Sequence, residues 1–174
     1  MSHPLTSTFT VPLECQYLLR IPESLPARPL VAITLHGYGM DPESMLRLTA
    51  ALLGPDPVIA SVQAPNQHYL GSPGDPDRKI GYNWGIARNH SASVRLHHAI
   101  LNTVINEISA RFAVDAERIL LIGFSQPVSL NYRFAATYPG KVGGIMGLCG
   151  GVPGDWQTAK YHSFSTPEIG RAHV

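Results

Sequence analysis

Residues 119–127 read ILLIGFSQP, and the interpretation of the chain turns on this stretch. Ile119 to Ile122 form an unbroken apolar run of strand length, the pattern of a strand buried on both faces. Residues 127–137 read as a helix that stops at Tyr138-Pro139-Gly140. Between them Gly123-Phe124-Ser125-Gln126 must turn the chain, and a serine between a buried strand and a helix has the context of a nucleophile elbow. A serine hydroxyl becomes a useful nucleophile when a tight turn presents it beside a general base, and such a turn tolerates little bulk nearby. Gly123 meets that need. The fifth position, glycine in the common pattern, is Pro127 here. Proline suits the first helical position, and the Gln126 N–H expected to face an oxyanion is untouched by it. The alternative is that Ser125 only caps the helix; the strand and helix context, with a second motif upstream, favours the nucleophile.

That second motif is His36-Gly37-Tyr38-Gly39, directly after the buried run LVAITL at residues 30–35 and about ninety residues before the serine. Glycines on either side of Tyr38 let the backbone turn an N–H toward a developing oxyanion, pairing it with the Gln126 N–H in a two-donor hole. His36, behind that loop, is expected to orient it rather than act as a base.

Working outward, residues 15–21 read as an early strand ended by Pro22, and residues 58–62 (VIASV) as another. Asp41-Pro42-Glu43-Ser44 opens a helix that runs to Gly54, with Met45, Leu46, Leu48, Leu52 and Leu53 on its apolar side. Residues 63–89 lack a period, but Tyr69, Tyr82 and Trp84 suggest an ordered pocket wall. A helix is expected over residues 91–112, with Val94, His98, Leu101, Ile105 and Ile108 on one face. Residues 142–149 (VGGIMGLC) close the pattern as a strand. Strands alternating with helices predict right-handed crossovers and a mostly parallel sheet covered by helices on both faces, an α/β fold.

Composition narrows the function. The 174 residues have room for one domain, and 13 Lys and Arg against 12 Asp and Glu leave no basic field for nucleic acid. A small neutral or apolar substrate fits better. The two cysteines, Cys15 and Cys149, lack metal-ligand spacing and read as buried thiols in a reducing compartment. No run approaches membrane-span length and the N-terminus has no signal-peptide pattern, so the cytoplasm is the expected location. The His97-His98 pair reads as helix-surface or partly buried side chains, and no metal site is expected. No strand is followed by a GxGxxG loop, which disfavours a nucleotide-binding domain.

Taken together, LHGYG at residues 35–39, QAP at 63–65, GYNW at 81–84, GFSQ at 123–126 and GLCGGVPGDW at 147–156 resemble the phospholipase/carboxylesterase family of α/β-hydrolases, which includes acyl-protein thioesterases. The resemblance implies an α/β-hydrolase fold and hydrolysis of small or lipid-like esters or thioesters without a cofactor. It implies Ser125 as nucleophile, Tyr38 and Gln126 as oxyanion donors, and His36, Gly37, Gly39 and Gly123 in support. Trp84 would line the acyl or alcohol pocket, with simple packing an equal alternative. Two other readings stay open: a different acyl-transfer or hydrolase reaction on the same scaffold, and a silent binding module, motivated by Pro127.

In this fold the acid and the histidine follow the serine, each after a later strand. Asp155 and His162 are weak candidates, since seven residues cannot hold the intervening strand and helix. Residues 168–174 (EIGRAHV) spell the in-frame translation of a common sequencing adapter. The expectation is therefore a partial domain over residues 1–167, inactive and lacking its last strands and helix, followed by a non-native tail.

Overall fold

The computed structural model describes residues 3–156 together with the backbone of Ile169–Ala172. Its main sheet has six strands: β1 (Tyr17–Arg20), β2 (Val31–Leu35), β3 (Val58–Val62), β6 (Ile119–Phe124), β7 (Gly144–Leu148) and β8 (Ile169–Ala172), in the order β1-β3-β2-β6-β7-β8. β1 pairs antiparallel with β3, and every other pairing is parallel. All five residues of β2 and of β3 are buried, as the apolar runs require of strands covered on both sides.

Alternation along the strands feeds two cores. On one face, Val31, Ile33 and Leu35 of β2 join Leu101, Ile105 and Ile108 of α2 (His90–Phe112) and Phe134 of α3 (Pro127–Thr137). On the other, Ala32, Ile59 and Ile122 meet Met45 of α1 (Pro42–Leu53). Buried polar groups on that second face are paired: Thr34 Oγ1 lies 2.8 Å from Thr49 Oγ1, and the Ser61 hydroxyl donates to the Pro42 carbonyl at 2.7 Å. Asp41 caps α1 by accepting from the Ser44 N–H at 2.6 Å, and Pro42 takes the first helical position.

Several expectations need correction. Leu48 and Leu52 are 37% and 49% exposed, whereas Pro42, Met45 and Thr49 are buried: at 100° per residue the two leucines fall on one flank of that buried stripe rather than at its centre. Residues 63–89 hold a second, two-stranded antiparallel sheet of β4 (Asn66–Tyr69) and β5 (Ile80–Asn83). Cys15 and Cys149 are exposed and unbridged, not buried. β8 is the last strand of the main sheet. It pairs with the open edge of β7, a row of backbone donors and acceptors that an extended segment can complete. No helix among the described residues is long and apolar enough to cross a membrane.

His97 and His98 are both buried, more deeply than a surface or partly buried placement, with His98 on the face its spacing indicated. His97 Nε2 is 3.1 Å from Asn131 Oδ1 and its ring meets Trp84 edge-on, while His98 packs against Phe134 and Tyr138. Burial pushes His97 down to about 3, with the neighbouring His98 adding to the effect. It pushes His98 down to about 4, aided by the Arg133 charge. Both rings are held neutral in the fold, but in the unfolded chain they protonate at about 6.5. Stability is therefore complete above that pH and is lost as pH falls toward the folded values, His97 contributing up to about 1.4 kcal/mol per pH unit. Urea midpoints should fall steadily between pH 7 and pH 4.5, and His98→Phe should flatten the slope; a midpoint constant or rising over that interval would contradict the assignment.

Candidate active site

The elbow is built by backbone constraint. β6 ends at Phe124, and Ser125 adopts φ +60°, a left-handed conformation that costs a non-glycine residue about 1–3 kcal/mol. Two bonds hold it there: the Ser125 N–H donates to the Leu148 carbonyl at 2.7 Å, and the Val128 N–H donates to the Ser125 carbonyl at 3.2 Å. The turn also has to be tight. A Cβ at Gly123 would lie 2.7 Å from Asn131 Nδ2, and one at Gly150 would lie 2.6 Å from the Ser125 carbonyl oxygen. Pro127 starts α3 and is buried, with Gln126 already right-handed before it. Close packing around the elbow is thus supplied by Gly123 and Gly150, and position 127 need not be glycine. The Ser125 side chain is exposed to solvent.

The parallel register brings the second motif to the same rim. Leu35 of β2 stands opposite Gly123 of β6, so residues 36–39 leave the sheet beside the elbow. A Cβ at Gly37 would sit 3.2 Å from the Phe124 carbonyl oxygen. His36 is buried, and its Nε2 accepts the Ala64 N–H at 3.0 Å, which leaves the proton on Nδ1 to donate to the Gly37 carbonyl at 2.8 Å. Burial lowers its pKa, in keeping with a neutral ring. From above, β5 pairs with the loop: the Gly39 N–H donates to the Tyr82 carbonyl at 2.9 Å, and the Tyr82 N–H to the Met40 carbonyl at 3.2 Å. Among the described residues, neither the Tyr38 N–H nor the Gln126 N–H has a hydrogen-bond acceptor. An exposed hydroxyl therefore shares one sheet edge with two unspent backbone donors.

The phospholipase/carboxylesterase family model matches residues 21–173. The chain belongs to that family. No curated protein matches its sequence. Among solved structures, esterase PE8 superposes with TM-score 0.68 at 21% identity over 92% of this chain and 75% of its own. A Bacillus cereus carboxylesterase gives TM-score 0.59 at 18% identity, over 80% and 61%. A Zea mays acyl-protein thioesterase 2 gives 0.55 at 15% identity, over 91% and 75%. At such identities the likeness carries the fold, an α/β-hydrolase fold with a mostly parallel sheet flanked by helices. The chain spans 61 to 75% of the length of these three structures.

The remaining residues of this family member sort by contact. The Trp84 side chain is 2% exposed, and its Nε1 donates to the His36 carbonyl at 2.8 Å, so the indole supports the loop from beneath. The Gln126 side chain spans to the same strand end: its Oε1 accepts the Trp84 N–H at 3.0 Å, and its Nε2 donates to the Gly85 carbonyl at 2.7 Å. Sequence reasoning assigned Gln126 only its backbone role; nothing local marks a contact made across 41 residues. An open cleft of about 520 Å³ lies beside Tyr38, lined by Asn66, His68, Asn83, Ile86 and Leu96 among others. A groove of about 320 Å³ between β1 and α2 includes no elbow residue. Asp155 is engaged by Arg133 of α3 in a two-point ion pair at 2.6 and 3.1 Å. His162 lies outside the described residues.

Gly81 offers a direct check on how β5 holds the loop. A Cβ there would stand 2.9 Å from both the Cα and the carbonyl oxygen of Gly39. Gly81→Ala should push the 36–40 loop off β5 and speed hydrogen exchange at the Gly39 amide at least roughly tenfold, leaving the amides of α2 protected. Unchanged exchange at Gly39 would show that β5 does not hold the loop.

Proposed function

We propose that this chain carries the nucleophile and oxyanion site of a serine hydrolase that cleaves carboxylic esters or thioesters through an acyl-serine intermediate. The observation that supports it most is the exposed, left-handed Ser125 on the same rim as the unpartnered Tyr38 and Gln126 amides. In the proposed reaction the Ser125 Oγ attacks the carbonyl carbon and its proton passes to a histidine. The carbonyl oxygen becomes an oxyanion received by the two N–H groups. Collapse expels the alcohol or thiol with that proton, and water then releases the acid by the same route. The reaction calls on no cofactor. The cleft beside Tyr38 would seat one arm of the substrate.

Among the described residues, no histidine lies within hydrogen-bond distance of the Ser125 hydroxyl. Asp155 forms an ion pair with Arg133, and by the family's order, in which the histidine follows the serine, we place the base outside residues 3–156. On this reading residues 1–167 are the native part of the domain, residues 168–174 are a tail, and the isolated chain turns over esters slowly or not at all.

The test uses the protein extended to the length of its structural relatives. It should hydrolyse p-nitrophenyl esters and react with a fluorophosphonate probe, and Ser125→Ala should abolish labelling and lower kcat/KM by roughly 10³-fold or more. A folded, extended protein that neither labels nor hydrolyses would favour the silent binding module. Activity that survives Ser125→Ala would place the nucleophile elsewhere.

A further inference from the structure

Three segments far apart in sequence meet at this site: residues 36–39, 84–85 and 125–126. We infer that the Gln126 side chain is a positioning residue that locks the elbow, the 84–85 turn and the oxyanion loop into one frame. The inference rests on the acyl-serine reading above.

The Gln126 amide faces a peptide donor and a peptide acceptor, the Trp84 N–H at 3.0 Å and the Gly85 carbonyl at 2.7 Å, so its orientation is set by its partners. Gly85 cannot drift from that contact easily. Its φ is +120°, and a Cβ there would collide with the Ser93 side chain on α2; its own N–H donates to Asn83 Oδ1 at 3.1 Å.

Trp84 then passes the constraint on. The indole N–H holds the His36 carbonyl at 2.8 Å, and the His36 ring lies 5.8 Å from the indole. His36 Nδ1 in turn holds the Gly37 carbonyl at 2.8 Å, and the Met40 N–H reaches the same oxygen at 3.2 Å. Because a peptide unit is planar and trans, anchoring the Gly37 carbonyl fixes the direction of the Tyr38 N–H on its other side. One side chain thereby steadies its own N–H through the elbow and the second donor through Trp84 and His36.

The inference can be tested on the 174-residue chain without a general base. Ser125→Cys places a thiol in the elbow, and its thiolate attacks p-nitrophenyl acetate directly: a sulfur–carbon bond forms, p-nitrophenolate leaves, and an oxyanion develops on the way. Iodoacetamide alkylates the same thiolate with loss of iodide and develops no oxyanion. The exposed Cys15 and Cys149 serve as internal references, and peptide mass mapping reads each site separately.

The expected ratio of acylation to alkylation at position 125 is at least tenfold above that at Cys15 and Cys149. Adding Gln126→Ala or Gln126→Met should cut that ratio at least tenfold, with the alkylation rate unchanged within twofold. An unchanged ratio overturns the inference. A fall in acylation, alkylation and melting temperature together shows a merely structural role and overturns it too. If the introduced thiol shows no advantage over Cys15 and Cys149 while Gln126 is intact, the acyl-serine reading itself fails.

Discussion

The rest of the site depends on one backbone constraint, the left-handed turn at Ser125. A serine with φ +60° does not stay there unaided, and the surrounding contacts define its place: the Leu148 carbonyl in front, the Val128 N–H behind, and glycines at 123 and 150 where any side chain would intrude. Those contacts come from β6, β7 and α3, so the exposure of one hydroxyl is a property of the sheet as a whole. The bulk of the core then has a clear task, which is to keep β6 and β7 in register beneath the turn.

The constraint extends sideways through buried polar groups. His36, Trp84 and Gln126 form a chain of directed bonds between loops distant in sequence. Such groups are costly to bury unpaired, and here each bond removes that cost while specifying one arrangement of the loops. Apolar packing alone, being non-directional, would leave the Tyr38 amide free to rotate. The same logic explains why a neutral histidine suits position 36: its ring must accept on one side and donate on the other.

Much of this was legible in the sequence, for physical reasons. Doubly buried strands are continuous apolar runs, so β2, β3 and β6 stood out, and the parallel order followed from the helices between them. The elbow was legible because a strand, a glycine, a serine and a helix occur in the only order that can make it. The β4–β5 sheet was not: Asn66–Tyr69 is mostly exposed and held by backbone pairing, so it leaves no apolar period. Leu48 and Leu52 misled because they sit on the flank of the α1 stripe, where residue type alone does not decide burial. The spacing put His98 on the inner face of α2, but not His97, whose burial depends on the Asn131 side chain and the Trp84 ring, contacts distant in sequence. The Gln126 clamp belongs to tertiary structure alone.

The central claim concerns where an oxyanion would sit, and a covalent adduct reports that position directly. A crystal structure of the extended protein treated with an alkyl phosphonate ester would carry phosphorus on one oxygen nucleophile, with a phosphoryl oxygen in place of the oxyanion. The account predicts phosphorus on the Ser125 Oγ and that oxygen about 2.7–3.1 Å from both the Tyr38 and Gln126 nitrogens. An adduct on another residue, or a phosphoryl oxygen turned to solvent and away from both amides, would contradict it.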